Sequence, residues 1–464
     1  MEKNDVMSGL RVLVFGLARS GIAAVSLLRL RGARVIAADE KTRDELGDQI
    51  DLLTGAEGVE LHVGEPVEPL LSGIDMLVVS PGIPAEHAAI AAAKRMGIEV
   101  IGELELAYRL GQGRLIAITG TNGKTTTTAL TGDIFKNAGK QTYVVGNIGS
   151  AYSSVAGITR ADDILVCEVS SFQLETVDRF HPSVAAILNI TQDHLDRHVD
   201  MECYISLKTR VYANQGADDI LVLNYDDAIV RGMSERAKGK VIWFSRTRIP
   251  PSAGAYISNG VIVYGVPGAE RAVCAAGDIF IPGPHNLENA LAASAIAMAS
   301  GVPAPVIRHT LRTFKGVEHR LEFVRELDSV RFVNDSKGTN ADSTLKAIQA
   351  MDRPTVIILG GYDKHVDFAE LAAQIARDGK ITAAVLIGET AAQFARQLES
   401  AGFTNIHILG RDFESAVTKA FSLAKAIRGE GCVLLSPACA SFDMFKDYEH
   451  RGMEFKRVVS ALGG

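Results

Sequence analysis

The chain has 464 residues, of which 47% are hydrophobic and 22% charged, the balance of an ordinary folded protein. Its net charge of −7 argues against non-specific nucleic-acid binding and against a basic membrane-surface helix. Five cysteines without a C-x-x-C pair are typical of a reducing compartment and exclude a Cys-type zinc site. The polar first eight residues do not resemble a signal peptide, and no helical stretch has the ~20 apolar residues of a membrane span. We therefore expect a cytoplasmic monomer that binds neither nucleic acid nor membrane.

The N-terminal segment alternates short apolar runs with helical stretches, the pattern of a covered parallel sheet. A predicted strand at 10–15 leads into G-L-A-R-S-G at 16–21 and a predicted helix at 21–31, and Asp39 ends the next strand. This is the arrangement of a dinucleotide-binding turn. Ala18, however, replaces the middle glycine, and its methyl group hinders the approach of a pyrophosphate. The turn predicts a Rossmann-like domain for a nicotinamide cofactor or for another nucleotide.

A second α/β unit begins with a predicted strand at 114–119, which runs into G-T-N-G-K-T-T at 120–126 and then a helix. Backbone N–H groups of such a loop surround phosphates, Lys124 adds positive charge, and Thr125 is placed to ligate Mg²⁺. The loop is shorter than the commonest P-loop, because Ile118 stands where that form has its first glycine. Nucleotide phosphate binding is the prediction, against a glycine-rich turn beside a solvated lysine.

Polar residues follow two later strands of this unit. Glu168 ends a predicted strand at 164–169, and His194 follows one at 185–189. At neighbouring strand ends beside the phosphate loop, a carboxylate and an imidazole would hold Mg²⁺ against the triphosphate. We also expect a small antiparallel excursion within 241–281 and an Ala-rich helix at 286–300, in which Asn286 and Asn289 share one face.

The strand–helix alternation restarts near residue 316, so the sequence predicts three α/β domains with boundaries near 102 and 316. The remaining predicted strands lie at 34–38, 76–80, 141–145, 220–224, 330–334, 355–359, 383–387 and 432–436.

Taken together, these motifs resemble the Mur ligase family of ATP-dependent amide-forming enzymes. The resemblance spans all three domains and rests on the phosphate loop, on G-N-I-G at 146–149, on the Glu168 and His194 segments, and on H-N-L-E-N-A at 285–290. In the third domain it rests on F-K-G-V-E-H-R at 314–320, N-D-S-K-G-T-N at 334–340 and L-S-P-A-C-A-S-F-D at 435–443. The chain departs from the family at Val317, Gly338, His365, Phe442 and Tyr448.

The resemblance implies a fold, a reaction and cofactors. It implies a Rossmann-like uridine-nucleotide domain at 1–102, a P-loop ATPase-type domain at 103–316 and a Rossmann-like amino-acid domain at 317–464. The implied reaction adds D-glutamate to UDP-N-acetylmuramoyl-L-alanine through an acyl phosphate, with release of ADP and phosphate, in peptidoglycan precursor synthesis. The residues themselves do not distinguish D- from L-glutamate. The implied cofactors are ATP and two Mg²⁺ ions, and the resemblance makes Lys208 a carbamylated metal ligand, although by composition it is a solvated helix lysine.

The same resemblance assigns roles to individual residues, and Arg320 and Lys337 would reach the γ-phosphate on domain closure. The implied catalytic residues are Lys124, Glu168, His194, Lys208, Arg320 and Lys337. The implied ATP-binding residues are Gly120, Thr121, Asn122, Gly123, Lys124, Thr125, Thr126, Asn286, Asn289, Arg320 and Asp335. The implied metal ligands are Thr125, Glu168, His194 and Lys208. The implied substrate-binding residues are Asp39, Ser80, Gly82, Asn147, Thr339, Lys364, Ser441 and Phe442.

Three kinds of alternative remain. A relative that adds another amino acid would carry different residues at 334–340, and a folate-polyglutamylating relative has no need of a uridine-nucleotide domain. A nicotinamide dehydrogenase leaves the phosphate loop unexplained. A non-catalytic nucleotide switch has no use for Glu168, His194 and Lys337 together.

Overall fold

The computed structural model describes residues 7–191, 200–363 and 366–463. The chain forms two compact units. The first holds the chain up to Phe280 together with His285–Phe314, and the second holds Ile281–Pro284 and the chain from Lys315. The first unit contains two β-sheets and the second contains one. No helix among the described residues is long and apolar enough to cross a membrane.

The N-terminal sheet has five parallel strands in the order β3-β2-β1-β4-β5. The strand order reverses between β1 and β4, and such switch points create a crevice at the carboxyl ends of the strands. The elements are β1 (Arg11–Phe15), α1 (Arg19–Leu30), β2 (Arg34–Asp39), α2 (Arg43–Leu46), β3 (Val59–Val63), β4 (Met76–Val79), α3 (Ala88–Arg95), β5 (Glu99–Gly102) and α4 (Glu103–Leu110).

The middle sheet has nine strands in the order β14-β13-β12-β11-β10-β9-β6-β8-β7, and β6 leads into the phosphate loop. Its first part contains β6 (Arg114–Thr119), α5 (Lys124–Asn137), β7 (Thr142–Gly146), α6 (Tyr152–Ala156), β8 (Ile164–Glu168), α7 (Ser171–Leu174), β9 (Val184–Ile187) and α8 (Met201–Thr209). Its second part contains β10 (Ile220–Asn224), α9 (Ala228–Gly232), β11 (Lys240–Ser245), β12 (Gly254–Ser258), β13 (Val261–Gly265), β14 (Arg271–Ala275), α10 (Pro284–Ala299) and α11 (Ala304–Thr313).

The C-terminal sheet has six strands in the order β15-β16-β20-β17-β18-β19, of which only β15 pairs antiparallel. Its elements are β15 (Glu322–Leu327), β16 (Val330–Asn334), α12 (Ala341–Ala350), β17 (Thr355–Gly360), α13 (Ala369–Asp378), β18 (Ile381–Ile387), α14 (Ala391–Ser400), β19 (Ile406–Gly410), α15 (Phe413–Lys425), β20 (Gly431–Leu435) and α16 (Tyr448–Ala461). Apolar side chains from both faces of this sheet form two separate buried clusters, as expected for a sheet covered by helices on both sides.

The predicted α/β architecture is confirmed, and the predicted strands lie within two residues of the observed ones. The expectation for 241–281 is only partly right. β13 is antiparallel to both of its neighbours, but β11 and β12 pair in parallel and extend the middle sheet instead of forming a separate excursion. The sequence analysis also missed β3, β5, β15 and β19, whose residues are mostly half-buried or exposed and therefore lack a continuous apolar run.

Candidate functional site

The phosphate loop, residues 120–123, connects β6 to α5 and depends on two glycines. Gly120 and Gly123 have φ values of 152° and 80°, which favour glycine over residues with a side chain. A Cβ at Gly123 would also lie 2.3 Å from the Asn289 amide oxygen. The loop is fixed from β9, because Asn189 accepts from the Asn122 N–H at 2.8 Å and the Thr121 hydroxyl donates to the Thr191 carbonyl at 3.1 Å.

Two lysines meet at this loop. The Lys124 Nζ donates to the carbonyls of Gly120 at 2.9 Å and Thr121 at 2.8 Å, and the Lys208 Nζ donates to the same Gly120 carbonyl at 2.9 Å. Lys208 is 1% exposed and its Nζ lies 4.6 Å from the centre of the Tyr204 ring. The interpretation of Lys208 as a solvated helix lysine is therefore wrong: α8 turns the side chain into the protein.

Glu168 is the buried carboxylate of this site. It ends β8 and is 1% exposed. Its Oε1 accepts from the Asn147 amide at 2.9 Å, whereas its Oε2 is buried and has no hydrogen-bond partner among the described residues. A buried carboxylate oxygen without a partner is costly unless a cation or a donor completes it. With the Thr125 hydroxyl at the start of α5, the donor set is composed of oxygens, which suits Mg²⁺.

His194 lies outside the described residues, so the structure does not place it. The strand order does correct the expected arrangement. β8, which carries Glu168, and β9, which precedes the His194 segment, are not neighbours, because β6 pairs with both of them. β8 and β9 therefore lie on opposite sides of β6.

Asn286 and Asn289 share one face of α10, as the sequence predicted, and both are 7% exposed. The Asn289 amide nitrogen donates to the Asn286 oxygen at 3.2 Å, and its oxygen accepts from the Thr127 hydroxyl at 3.2 Å. These two amides therefore join α10 to α5 behind the phosphate loop. Thr125 and Thr126, in the first turn of α5, are 8% and 6% exposed.

In the N-terminal sheet, three predicted residues follow the ends of neighbouring strands: Asp39 ends β2, and Ser80 and Gly82 follow β4. The Ser80 hydroxyl donates to the Gly16 carbonyl at 2.6 Å, and a Cβ at Gly16 would lie 2.9 Å from the Ser80 Cβ. The Asp39 carboxylate accepts from the backbone N–H groups of Leu17 and Lys41, at 2.7 and 2.9 Å. Asp39 therefore closes the glycine-rich turn, while a Cβ at Gly82 would meet no atom within 4 Å. Asn147, which was predicted to contact the same ligand, lies beside the middle sheet, where its amide donates to Glu168 at 2.9 Å.

A further cluster at this end of the N-terminal sheet contains Glu40, Glu68 and His87, whose ligand atoms lie within 4.8 Å of one another. The His87 Nδ1 accepts from the Ala89 N–H at 3.2 Å and caps α3. In the neutral ring the proton is then on Nε2, 3.3 Å from Glu40. The His87 Nε2–H then donates a hydrogen bond to Glu40. A metal ion would need the lone pair of Nε2, which this proton occupies.

In the C-terminal unit, Arg320 lies on a strained loop. Its neighbours His319 and Leu321 have φ values of 63° and 45°. His319 is held in place because the Asn334 amide contacts its Nδ1 at 3.0 Å and a Cβ at Gly452 would lie 2.2 Å from the same atom. Burial lowers the pKa of His319, so the ring is held neutral as this contact requires.

Asp335 is 4% exposed and lies beside this loop. It accepts from the Leu321 N–H at 3.2 Å and the Ser436 hydroxyl at 2.7 Å. Burial raises the pKa of Asp335 to about 6, although Arg320 opposes the shift. A Cβ at Gly338, a position where the sequence departs from the family, would lie 2.5 Å from the Asp335 Oδ2. The departure therefore leaves room for this carboxylate.

The raised pKa of Asp335 predicts a pH dependence of stability. Between pH 4 and 6 the folded chain keeps the proton that the unfolded chain loses, so this residue's contribution is complete at low pH and is lost as the pH rises through about 6. When the pH rises from 4 to 7, the free energy of unfolding should fall in the unchanged chain because of Asp335. In Asp335→Asn it should fall less, by on the order of 2 kcal/mol. Urea unfolding followed by circular dichroism measures this, and parallel pH profiles would contradict it.

Arg451 is the residue of this unit that the sequence analysis missed. It is 1% exposed, and its guanidinium donates to Ser336 and to the carbonyls of Cys439 and Ala440. It thus joins the loops at 334–340 and 435–443, which carry most of the predicted amino-acid site. A charged residue on a helix is ordinarily solvent-exposed, so nothing in the local sequence indicates the burial of Arg451.

The other predicted residues of this unit differ in exposure. The Lys337 Nζ lies 5.7 Å from the centre of the Tyr448 ring, one of the departures from the family. Ser441 is 2% exposed, whereas Phe442 is 65% exposed and packs edge-on to Tyr362. Thr339 is half-buried. Lys364 and His365 lie outside the described residues.

Three family models match the chain: the MurD-like N-terminal domain of Mur ligases over 10–102, the Mur ligase middle domain over 118–297, and the Mur ligase glutamate ligase domain over 319–439. A UDP-N-acetylmuramoylalanine–D-glutamate ligase from Alkaliphilus oremlandii is 48% identical, over 97% of this chain and 98% of its own. One from Clostridioides difficile is 45% identical, over 98% of this chain and 99% of its own.

Two solved structures share the fold. The UDP-N-acetylmuramate-alanine ligase MurC from Thermotoga maritima matches with a TM-score of 0.59 at 17% identity, over 97% of this chain and 99% of that one. MurF from Acinetobacter baumannii matches with a TM-score of 0.59 at 18% identity, over 100% of this chain and 92% of that one. The chain belongs to the Mur ligase family of ATP-dependent ligases.

Proposed function

We propose that this protein joins D-glutamate to UDP-N-acetylmuramoyl-L-alanine at the expense of ATP, as a cytoplasmic monomer in peptidoglycan precursor synthesis. The observation that carries the proposal is the identity of 45–48% to ligases of that name over nearly the whole of both chains. The phosphate loop with its buried Glu168 supports it, because a dehydrogenase has no use for either group.

The work divides among the three domains. Residues 1–102 bind the uridine nucleotide at the crevice between β1 and β4, where Ser80 and Gly82 lie and Asp39 closes the turn; we assign Asn147 to the same substrate. Residues 103–316 bind ATP through the phosphate loop. Residues 317–464 bind the amino acid. We also assign Asn286, Asn289 and Asp335 to the binding of ATP.

The reaction needs an activated carboxyl group. The muramoyl-alanine carboxylate attacks the γ-phosphorus of ATP, so that an acyl phosphate forms and ADP leaves. The uncharged amine of glutamate then attacks the acyl carbon, phosphate leaves, and a proton is lost from nitrogen. The first step brings a carboxylate to a triphosphate, so positive groups must offset the negative charge. We assign this role to Lys124, Arg320 and Lys337.

The residues of the middle domain fit two magnesium ions. Thr125, Glu168 and His194 are the proposed ligands of the ions, together with Lys208 as its carbamate. The buried Oε2 of Glu168, which has no hydrogen-bond partner among the described residues, supports this assignment. When bound, Mg²⁺ supplies positive charge between the two anionic reactants.

The amino-acid pocket needs one cation and several neutral donors, since glutamate brings two carboxylates. We assign Lys364 as the cation and Thr339, Ser441 and the backbone at Phe442 as the neutral donors. Losing a charge-assisted hydrogen bond costs about 1.5–3 kcal/mol, so Lys364→Ala should raise the KM for glutamate at least about tenfold. The KM values for ATP and the UDP substrate should hardly change. Equal weakening of all three substrates would assign Lys364 to the phosphates instead.

Phosphate release from ATP tests the whole proposal. The assay omits the UDP-muramoyl precursor or the amino acid in turn, and it offers L-glutamate, alanine and a diamino acid in place of D-glutamate. We expect release that requires both UDP-N-acetylmuramoyl-L-alanine and D-glutamate. Release with another pair would assign another reaction of the family, and NADH turnover without ATP use would identify the dehydrogenase.

A further inference from the structure

α4 directly follows the N-terminal sheet, and two of its carboxylates are buried against the middle domain. Glu103 is 1% exposed and its Oε1 accepts from the Ser153 N–H at 2.6 Å. Glu105 is fully buried, and its two oxygens accept from three successive backbone N–H groups, those of residues 178–180, at 2.9–3.0 Å. We call Glu103 and Glu105 with these four N–H groups the carboxylate bracket.

The partners of the carboxylate bracket lead directly to the phosphate site. Residues 178–180 precede β9, and the chain after β9 holds the phosphate loop through Asn189 and Thr191. Ser153 lies in α6, and the loop before α6 carries Asn147, which donates to Glu168. On its other side, α4 follows β5, which pairs with β4 at the uridine crevice.

Further contacts close the ends of α4. The Gly102 N–H donates to the Thr176 carbonyl at 3.3 Å, and the Arg31 guanidinium donates to the Leu110 carbonyl at 3.0 Å. A Cβ at Gly102 would lie 2.2 Å from the Thr176 hydroxyl oxygen. A methyl group at position 102 would therefore require the Thr176 hydroxyl to move.

We propose that Glu105 is a positioning residue, which holds the uridine crevice at a fixed distance from the phosphate loop through the carboxylate bracket. This inference rests on the proposed function, in which the N-terminal domain delivers the carboxylate that the ATP of the middle domain phosphorylates. Reacting atoms must be held about 3–3.5 Å apart and in the right orientation. A displacement of about 1 Å costs on the order of a hundredfold in rate. Carboxylate hydrogen bonds to three adjacent N–H groups fix both distance and orientation.

Glu105→Gln tests the positioning role, because its amide keeps the shape of the side chain but loses one of the two acceptor oxygens. We expect kcat to fall at least tenfold while the Kd of UMP and the Kd of an ATP analogue, each measured alone by calorimetry, stay within twofold. Amide hydrogen exchange at residues 178–180 should accelerate. Glu105 also accepts from the Arg109 guanidinium at 2.7 Å, and Arg109 donates to Glu99 at 2.7 Å as well. The matched control is therefore Glu99→Gln, which removes a carboxylate from Arg109 but leaves the N–H groups of residues 178–180 untouched.

A second pair of variants tests the same junction without changing any charge. Gly102→Ala should lower kcat as Glu105→Gln does, and adding Thr176→Ala should restore it by removing the atom that the new methyl group meets. Unchanged kcat in both Glu105→Gln and Gly102→Ala would overturn the inference. A parallel loss of kcat and of affinity for the ATP analogue would also overturn it. Glu105 would then stabilise the middle domain itself and would not position one sheet relative to the other. If the unchanged protein made no amide, the proposed function would fail instead, and the exchange data would still report on the bracket.

Discussion

Replacing Lys124 by alanine is expected to abolish ATP turnover, with a loss of at least about 10²–10³-fold, while binding of the UDP substrate stays nearly intact. The Lys124 ammonium donates to the carbonyls of Gly120 and Thr121 in the phosphate loop. Without it, the transferred phosphoryl group loses the positive charge that makes approach of a carboxylate possible. The uridine crevice belongs to a different sheet, so the affinity for the UDP substrate should not fall together with the rate of ATP turnover.

The matched control for this variant is Lys136→Ala. Lys136 lies on the same helix, is half exposed and pairs with Asp133, so it should keep full turnover. The measurements are phosphate release for the rate and calorimetry for the UDP substrate. An equal loss of rate and UDP-substrate affinity would show that the division of ligands between the two sheets is wrong.

The strand, loop and helix around residues 120–123 were predicted best, because their signals are local. Glycines at 120 and 123 are required by backbone geometry, and a lysine and threonines follow them directly. The predicted strands succeed for the same reason, since a strand covered on both faces is a continuous apolar run. Glu168 was predicted at a strand end for this reason, and it ends β8.

The sequence predicted less where the contact is made across the fold. Lys208 looks like any helix lysine, and only the packing of α8 against the phosphate loop buries it. The same holds for Glu105 and Arg451, since most of their hydrogen bonds go to backbone groups distant in the sequence. Backbone partners leave no complementary side chain for a sequence pattern to reveal.

The order of the strands was also beyond local patterns. Glu168 and the His194 segment follow strands that lie on opposite sides of β6, and the sequence gives only their order along the chain. The glycine-rich turn at 16–21 likewise did not decide between a nicotinamide cofactor and another nucleotide as the ligand. The structure adds that Ser80, after β4, donates to Gly16, after β1, across the point where the strand order reverses.

Replacing Lys208 by alanine should remove most activity, at least about a hundredfold, and short carboxylic acids such as acetate should restore part of it. Lys208 is 1% exposed, and Lys208 and Lys124 both donate to the Gly120 carbonyl. The carbamate proposed for Lys208 would place an anion beside the Lys124 ammonium.

Alanine at this position leaves a buried space below the phosphate loop, in which acetate can present its carboxylate in place of the carbamate. The rate should therefore rise with acetate concentration and saturate, whereas a branched acid too large for the space should have no effect. Lys238→Ala, an exposed lysine of the same domain, is the control and should need no rescue. A carbonyl ¹³C signal from labelled bicarbonate should be present in the unchanged protein and absent from Lys208→Ala. Full activity of Lys208→Ala without acetate would contradict the carbamate, and Lys208 would then serve only to hold the Gly120 carbonyl.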